Sequence, residues 1–294
     1  MSLIVVTDDR YRLIDFGDGR KLESVCGYVI DRPSPAAAWS KPNDKNQWAS
    51  TSAHYDADRK KWTYQSPWPA QSLVQCEGFR MPTAPTPFGH IGVFPEQAEN
   101  WRWLAGTNPN ASPAGQSDEL PSALNLFGYT GASTMALVKA GYQVAHVDAA
   151  KPNVAAAGVA AAANGWDKPP IRFLIDDAAK FVTREIKRQR QYHTIVMDPP
   201  AYGHGPGGRA WRLSRDLWPL IDDCLKLIQP SDFRMLISGH SAEVNESDVL
   251  AFFEQSQRID TSSLQITSGR SNLLDASDRS LDTGFFVRIE TIDS

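Results

Sequence analysis

From about residue 121 onward, apolar runs of strand length alternate with stretches of helical composition, and this rhythm constrains the fold more than any other feature. The runs are Leu124 to Phe127, Gln143 to Val147, Ile171 to Ile175, Thr194 to Met197 and Met235 to Ser238. Between them lie Ser133 to Ala140, Pro152 to Asn164, Ala178 to Gln189 and Leu217 to Leu227. Val244 to Gln255 reads as a last helix, and Leu264 to Thr267 and Gly284 to Ile289 as two closing strands. Strands separated by helices form parallel sheets covered on both faces. The prediction is therefore an α/β fold, a doubly wound, Rossmann-like sheet of seven strands.

The first part of the chain has a different texture. Leu13, Ile14 and Phe16 precede Gly17-Asp18-Gly19, and Leu22, Val25, Tyr28 and Ile30 follow it, which predicts a hairpin and a further strand. Six of the nine tryptophans precede residue 104, so large aromatics are expected to serve as core or docking groups here. Short strands are also predicted at Trp62 to Gln65, Ser72 to Gln75 and Phe79 to Met81. Pro95-Glu96 opens a helix with Gln97, Asn100 and Trp101 on one face, and Thr107 to Glu119 reads as a linker. The expected organisation is a small β-rich, Trp-rich region over 1–85, a connecting helix and linker over 86–120, and a main domain over 121–294.

Composition removes several classes. With 41% hydrophobic and 22% charged residues over 294 positions, the chain is neither disordered nor membrane-like. No apolar run approaches the ~20 residues that cross a bilayer, and no signal-peptide pattern stands at the N-terminus, so the cytoplasm is expected. Cys26, Cys76 and Cys224 are widely spaced and are expected to be free thiols rather than metal ligands. A net charge of −4 gives no global support for nucleic-acid binding; a polyanion would have to meet a local patch.

In doubly wound sheets the ligand lies beyond the carboxyl ends of the strands. The first run ends in Phe127, Gly128, Tyr129, Thr130 and Gly131, a glycine turn that would aim helix N–H groups at a nucleotide-like cofactor. It lacks the full dinucleotide fingerprint. The second ends at Asp148, placed to accept from a ribose diol. The third ends at Asp176-Asp177-Ala178, suited to an adenine edge, with a helix N-cap as the competing role for either Asp. The fourth ends in Asp198-Pro199-Pro200-Ala201-Tyr202-Gly203. Two prolines stiffen the backbone and remove two donors, so carbonyls and the Asp198 carboxylate can converge on one N–H, with Tyr202 offering a stacking face. His204 to Arg212 reads as a flexible loop with cations and Trp211. Lys180, Arg184, Lys187, Arg188 and Arg190 make a basic helix that suits either RNA or plain solvation. His240 follows the fifth run, where a structural hydrogen bond or a base role is open.

These residues resemble the class I S-adenosylmethionine-dependent methyltransferases, in particular the large-subunit ribosomal RNA enzymes of the cytosine-5 and guanine-N7 type and their unassigned bacterial relatives. The resemblance rests on Leu-Asn-Leu-Phe-Gly-Tyr-Thr-Gly at 124–131, His-Val-Asp-Ala-Ala-Lys at 146–151, Asp-Asp-Ala at 176–178 and Asp-Pro-Pro-Ala-Tyr-Gly at 198–203. Gly-Pro-Gly-Gly-Arg-Ala-Trp at 205–211 and Phe-Pro-Glu-Gln at 94–97 add to it, and Arg20-Lys21-Leu22-Glu23 with Arg32-Pro33 look like the start of the relatives. It implies that Phe127 to Gly131 flank the methionine arm of the cofactor and that Asp148 with Ala149 takes the ribose. It further implies Asp177 and Ala178 at the adenine, Gln97 over cofactor or target, and Asp198, Pro199, Pro200 and Tyr202 as the catalytic, acceptor-holding group. Cytosine-5 chemistry needs a thiolate after the fifth strand, where this chain has Gly239 and His240, so direct transfer to a nitrogen or oxygen is expected.

The expected activity is methyl transfer to RNA, ribosomal RNA first, without a metal. Transfer to a small molecule or protein side chain is the enzyme alternative. A non-catalytic RNA-binding or assembly factor with a retained cofactor site is the alternative from another class. An NAD-dependent oxidoreductase would leave the Pro-Pro-x-Tyr element without a purpose.

Overall fold

A computed structural model of the chain describes residues 10–106, 120–166, 168–204, 210–229 and 232–292. The expected linker and Gly205 to Arg209 of the acceptor loop lie outside these residues. Contacts divide the chain into two units, one of residues 1–98 with 271–283 and one of residues 99–270 with 284–294.

The first unit carries a five-stranded sheet in the order β1-β2-β3-β4-β5. Its strands are β1 (Tyr11–Gly17), β2 (Arg20–Val25), β3 (Tyr28–Pro33), β4 (Ala53–Asp56) and β5 (Lys61–Tyr64), with a short helix α1 (Lys45–Trp48) before β4. The turn between β1 and β2 places Asp18 and Gly19 at φ 51° and 76°, the conformation that matches strand twist in a tight hairpin. A second ribbon pairs β6 (Leu73–Gln75) with β7 (Arg80–Pro82). Strand β4, which pairs parallel to β3, has no clear alternation in the sequence and was not expected. Glu23 is wholly buried and accepts from Arg32 Nη2 at 2.9 Å and from the Tyr11 hydroxyl at 2.7 Å, with Lys21 Nζ at 3.0 Å. Burial alone would raise its pKa, but the Arg32 and Lys21 charges prevail and hold it at about 2. The tryptophans divide: Trp62 is buried, Trp48 and Trp68 anchor by indole N–H bonds to Asp15 and the Thr83 carbonyl, and Trp39 is 99% exposed, contrary to a core role.

The second unit opens with α2 (Ala98–Ala105), whose first residue still belongs to the first unit, and holds a seven-stranded sheet. In chain order its elements are β8 (Ser122–Leu126), α3 (Ala132–Lys139), β9 (Gln143–Asp148), α4 (Lys151–Ala163), β10 (Ile171–Ile175), α5 (Ala178–Lys187) and β11 (Thr194–Met197). A small hairpin of β12 (Tyr202–His204) and β13 (Ala210–Arg212) follows, then α6 (Leu213–Cys224), β14 (Arg234–Gly239), α7 (Glu246–Gln255), β15 (Leu264–Leu274) and β16 (Ser280–Thr291), with residues 271–274 and 280–283 of the last two strands counted in the first unit. The sheet order is β10-β9-β8-β11-β14-β16-β15. The pairs β10·β9, β9·β8, β8·β11 and β11·β14 are parallel, while β16 joins antiparallel to β14. Leu124, Leu126, Ile195, Met197, Met235 and Ile237 are fully buried beneath helices that contribute Phe181, Leu217 and Leu220.

Two local departures from expectation have simple causes. The Asp216 carboxylate accepts from Arg212 N at 2.8 Å, so α6 starts at Leu213 rather than Leu217. A reciprocal capping box between Asn245 and Asp248 starts α7 at Glu246 rather than Val244.

Candidate active site

Residue pairing across the sheet sets the site. Leu126 pairs with both Val147 and Met197, and Asp148 pairs with Ile175. The segments that follow β10, β9, β8 and β11 are therefore neighbours in that order, at the ~4.8 Å spacing of adjacent strands. They carry Asp176-Asp177, Asp148, Phe127 to Gly131, and Asp198 to Tyr202.

The cofactor turn is tightly specified. Phe127 and Tyr129 sit in the left-handed region at φ 55° and 49°, conformations that cost non-glycine residues about 1 kcal/mol or more. Gly131, at φ 93°, opens α3 and has no side chain to cap it. A helix start with no N-cap side chain fits a ligand carboxylate there. A Cβ on Gly131 would sit 3.0 Å from Ala157 Cβ of α4, and one on Gly128 would sit 2.5 Å from the His146 ring. Both glycines are required by close packing on the protein side.

Asp148 is the keystone of the turn. Its Oδ2 accepts from Tyr129 N at 2.8 Å, and its Oδ1 accepts from Ala150 N at 2.8 Å and Asn153 Nδ2 at 3.0 Å. The carboxylate thus joins the end of β9 to the cofactor turn and the start of α4. Ala149, between these bonds, is exposed. The two acids after β10 divide their work. Asp176 accepts from its neighbour's N–H and pairs with Arg184, while Asp177 caps α5 by accepting from Lys180 N at 2.9 Å, with Ala178 as the first helical residue.

Of residues 204 to 212, expected as a flexible loop, the described ones are strand residues. Tyr202 pairs with Arg212, Gly203 with Trp211 and His204 with Ala210. Trp211 donates its indole N–H to the Pro200 carbonyl at 2.7 Å, and its ring packs against Phe127 with centroids 4.9 Å apart. Leu213 N donates to the Ala201 carbonyl at 3.0 Å. Tyr202 is 55% exposed.

Beneath the turn lies a buried polar chain that sequence reading missed. Asn125 Nδ2 donates to Thr134 Oγ1 at 2.9 Å, and Thr134 Oγ1 lies 2.9 Å from His146 Nδ1. Burial lowers the His146 pKa to about 4, against the opposing influence of Asp148, so the ring is neutral near pH 7. Its Nε2 makes no well-formed hydrogen bond, although the Tyr129 backbone is a polar neighbour. The available signal was a polar residue inside each of two apolar strand runs, Asn125 in β8 and His146 in β9.

The remaining expected groups are placed as follows. Gln97 closes a 3-10 turn over Pro95–Gln97 in the first unit. Arg184 of the basic helix pairs with Asp176, and Arg188 with the buried Glu185. Cys26, Cys76 and Cys224 are free thiols; Cys224 is buried in α6, and burial raises its pKa. A Cβ on Gly239 would meet the Phe285 ring at 2.8 Å, so a cysteine does not fit there. Among the described residues there is no cluster of metal-ligating side chains and no helix long and apolar enough to cross a membrane.

No family model and no curated protein matches the sequence. Among solved structures, the chain is similar to an S-adenosylmethionine-dependent methyltransferase from Agrobacterium tumefaciens at 29% identity and TM-score 0.85, over 97% of this chain and 92% of that one. It is also similar to a structure from Streptococcus mutans, described as a candidate enzyme of the same kind, at 18% identity and TM-score 0.71, over 98% and 76%. The tRNA m1G37 methyltransferase of M. jannaschii shares the fold at 10% identity and TM-score 0.53, over 97% and 75%. The sheet order, the cofactor turn and these likenesses define a class I methyltransferase fold. By that fold the chain is an S-adenosylmethionine-dependent methyltransferase.

Proposed function

We propose that this enzyme transfers a methyl group to a base nitrogen of RNA, with ribosomal RNA as the first substrate to examine. The observation that carries the reading is adjacency. Asp198 to Tyr202 leave the end of β11 directly beside the turn at the end of β8, so an acceptor held there adjoins the cofactor turn. S-adenosylmethionine, when bound, supplies an electrophilic methyl group on a sulfonium sulfur.

The chain's residues do the rest. The first turn of α3 receives the amino-acid carboxylate, Asp148 and Ala149 receive the ribose, and Asp177 with Ala178 receives the adenine. Asp177 Oδ1 already caps α5, so its Oδ2 or the adjoining backbone serves this role. Asp198 and a prolyl carbonyl hold the acceptor N–H and orient its lone pair in line with the methyl carbon. Asp198 would take the proton of the attacking N–H, the electron pair of the carbon–sulfur bond leaving on the sulfur, and Tyr202 would stack on the base. Proximity and orientation are the main contribution. The absence of room for a thiol at Gly239, and the burial of Cys224, support direct transfer over cytosine-5 addition.

Mass spectrometry of ribosomal RNA from a strain lacking the gene tests the substrate. Loss of one methylated nucleoside supports the proposal, and an unchanged profile overturns it. That second result moves the acceptor to a small molecule or protein side chain, a reading favoured by the net charge of −4.

A further inference from the structure

We propose that Trp211 is a positioning residue for methyl transfer, locking the acceptor segment onto the cofactor turn and leaving the Pro199 carbonyl, with Asp198, to receive the acceptor. The inference rests on the methyltransferase reading of the site.

Trp211 touches both halves of the reaction centre through different parts of its side chain. The ring lies on Phe127, the first residue of the cofactor turn, and the indole N–H holds the Pro200 carbonyl. Phe127 holds a left-handed backbone at φ 55°, and that conformation presents its ring to the indole. Such strain persists where surrounding contacts over-determine it, and the tilted indole packed on the ring is one of them.

The hydrogen bond also selects among carbonyls. Pro200 O accepts from Trp211, and Ala201 O accepts from Leu213 N. No described residue donates to Pro199 O. Pro199 is buried and Pro200 exposed, so the carbonyl left for a substrate adjoins the carboxylate of Asp198 rather than the outer edge of the hairpin.

Two variants separate the two contacts. Trp211→Phe keeps an aromatic ring for Phe127 and removes the N–H, whereas Trp211→Ala removes both. For Trp211→Phe, calorimetry with S-adenosylmethionine is expected to show binding within about twofold of wild type. With total RNA from the deletion strain as acceptor, kcat falls about tenfold, the rate equivalent of one hydrogen bond. In the protein without cofactor, amide exchange at Ala201 to Gly203 becomes about tenfold faster while β8 and β11 are unchanged. Trp211→Ala additionally weakens cofactor binding. Wild-type kcat and wild-type exchange in Trp211→Phe overturn the inference, as does a loss of cofactor binding equal to the loss of kcat. Failure of the wild type itself to bind S-adenosylmethionine overturns the underlying reading, and is distinguished by occurring without any substitution. If the wild type binds cofactor but labels no RNA, the exchange comparison alone supports or overturns the role of Trp211.

Discussion

Gly128→Ala probes whether the cofactor turn is held from below. Gly128 is not in the left-handed region, so the substitution carries no backbone penalty of that kind. Its whole effect comes from the new methyl, placed 2.5 Å from His146 Cε1 and 2.6 Å from Nδ1. The ring has no room to retreat, being fully buried, bonded to Thr134 at 2.9 Å and packed edge-on against Phe173 at 5.9 Å. Overpacking of this kind costs about 1–3 kcal/mol, and losing the Thr134 bond adds about 1 kcal/mol. A destabilisation of roughly 2–4 kcal/mol lowers Tm by about 10 °C for a domain of this size. His146→Ala alone is expected to cost a similar amount through the cavity it leaves. In the double variant the added methyl occupies part of that cavity, so the combined loss falls short of the sum by at least about 1 kcal/mol. Thermal unfolding of the four proteins by circular dichroism measures the cycle. Additivity within about 0.5 kcal/mol, or a Gly128→Ala loss below that value, refutes the account.

Asp148→Ala removes the acceptor of three hydrogen bonds and leaves the backbone N–H groups of Tyr129 in the turn and Ala150 at the start of α4 without it, so S-adenosylmethionine affinity by calorimetry should fall by about a hundredfold or more. Asp198→Ala should leave cofactor binding within about twofold and reduce transfer by about a hundredfold or more; the opposite pattern would exchange the roles of the two acids. Acid stability should fall in two stages. Below about pH 6.5 the unfolded chain binds protons at His90 and His146 that the folded chain takes up only near pH 4, because burial lowers both. Stability therefore declines from about pH 6.5 toward 4, and His146→Gln should remove its share of that slope in unfolding titrations. The Glu23 contribution, present above its unfolded pKa of about 4.5, is lost as pH falls through about 2, and Glu23→Gln should flatten that second decline.

Strand and helix rhythm, and the residues at the strand ends, were legible in the sequence because they are local. A run such as Thr194 to Met197 is apolar after its first residue and buried at every position because both faces of a central parallel strand are covered, and its bounds coincide with β11. The glycines of the turn, Asp148, and Asp198-Pro199-Pro200 likewise declare themselves by residue type at a strand end. Three things depended on the tertiary structure. Strand β4 joins β3 in parallel across a 19-residue connection, a pairing no alternation announces. The β12–β13 hairpin exists because Trp211 finds Phe127 and the Pro200 carbonyl, contacts that join β8, β11 and the hairpin from distant points in the chain. The chain of Asn125, Thr134 and His146 becomes a support only when β8, α3 and β9 are stacked. Sequence alone thus marked the alternating strands and helices and the chemistry offered at the strand ends, and the order of the strands in the sheet came from the tertiary structure. Long-range packing decided which carbonyl is occupied and what holds the turn, because a hydrogen bond between distant residues is specified by where their backbones meet.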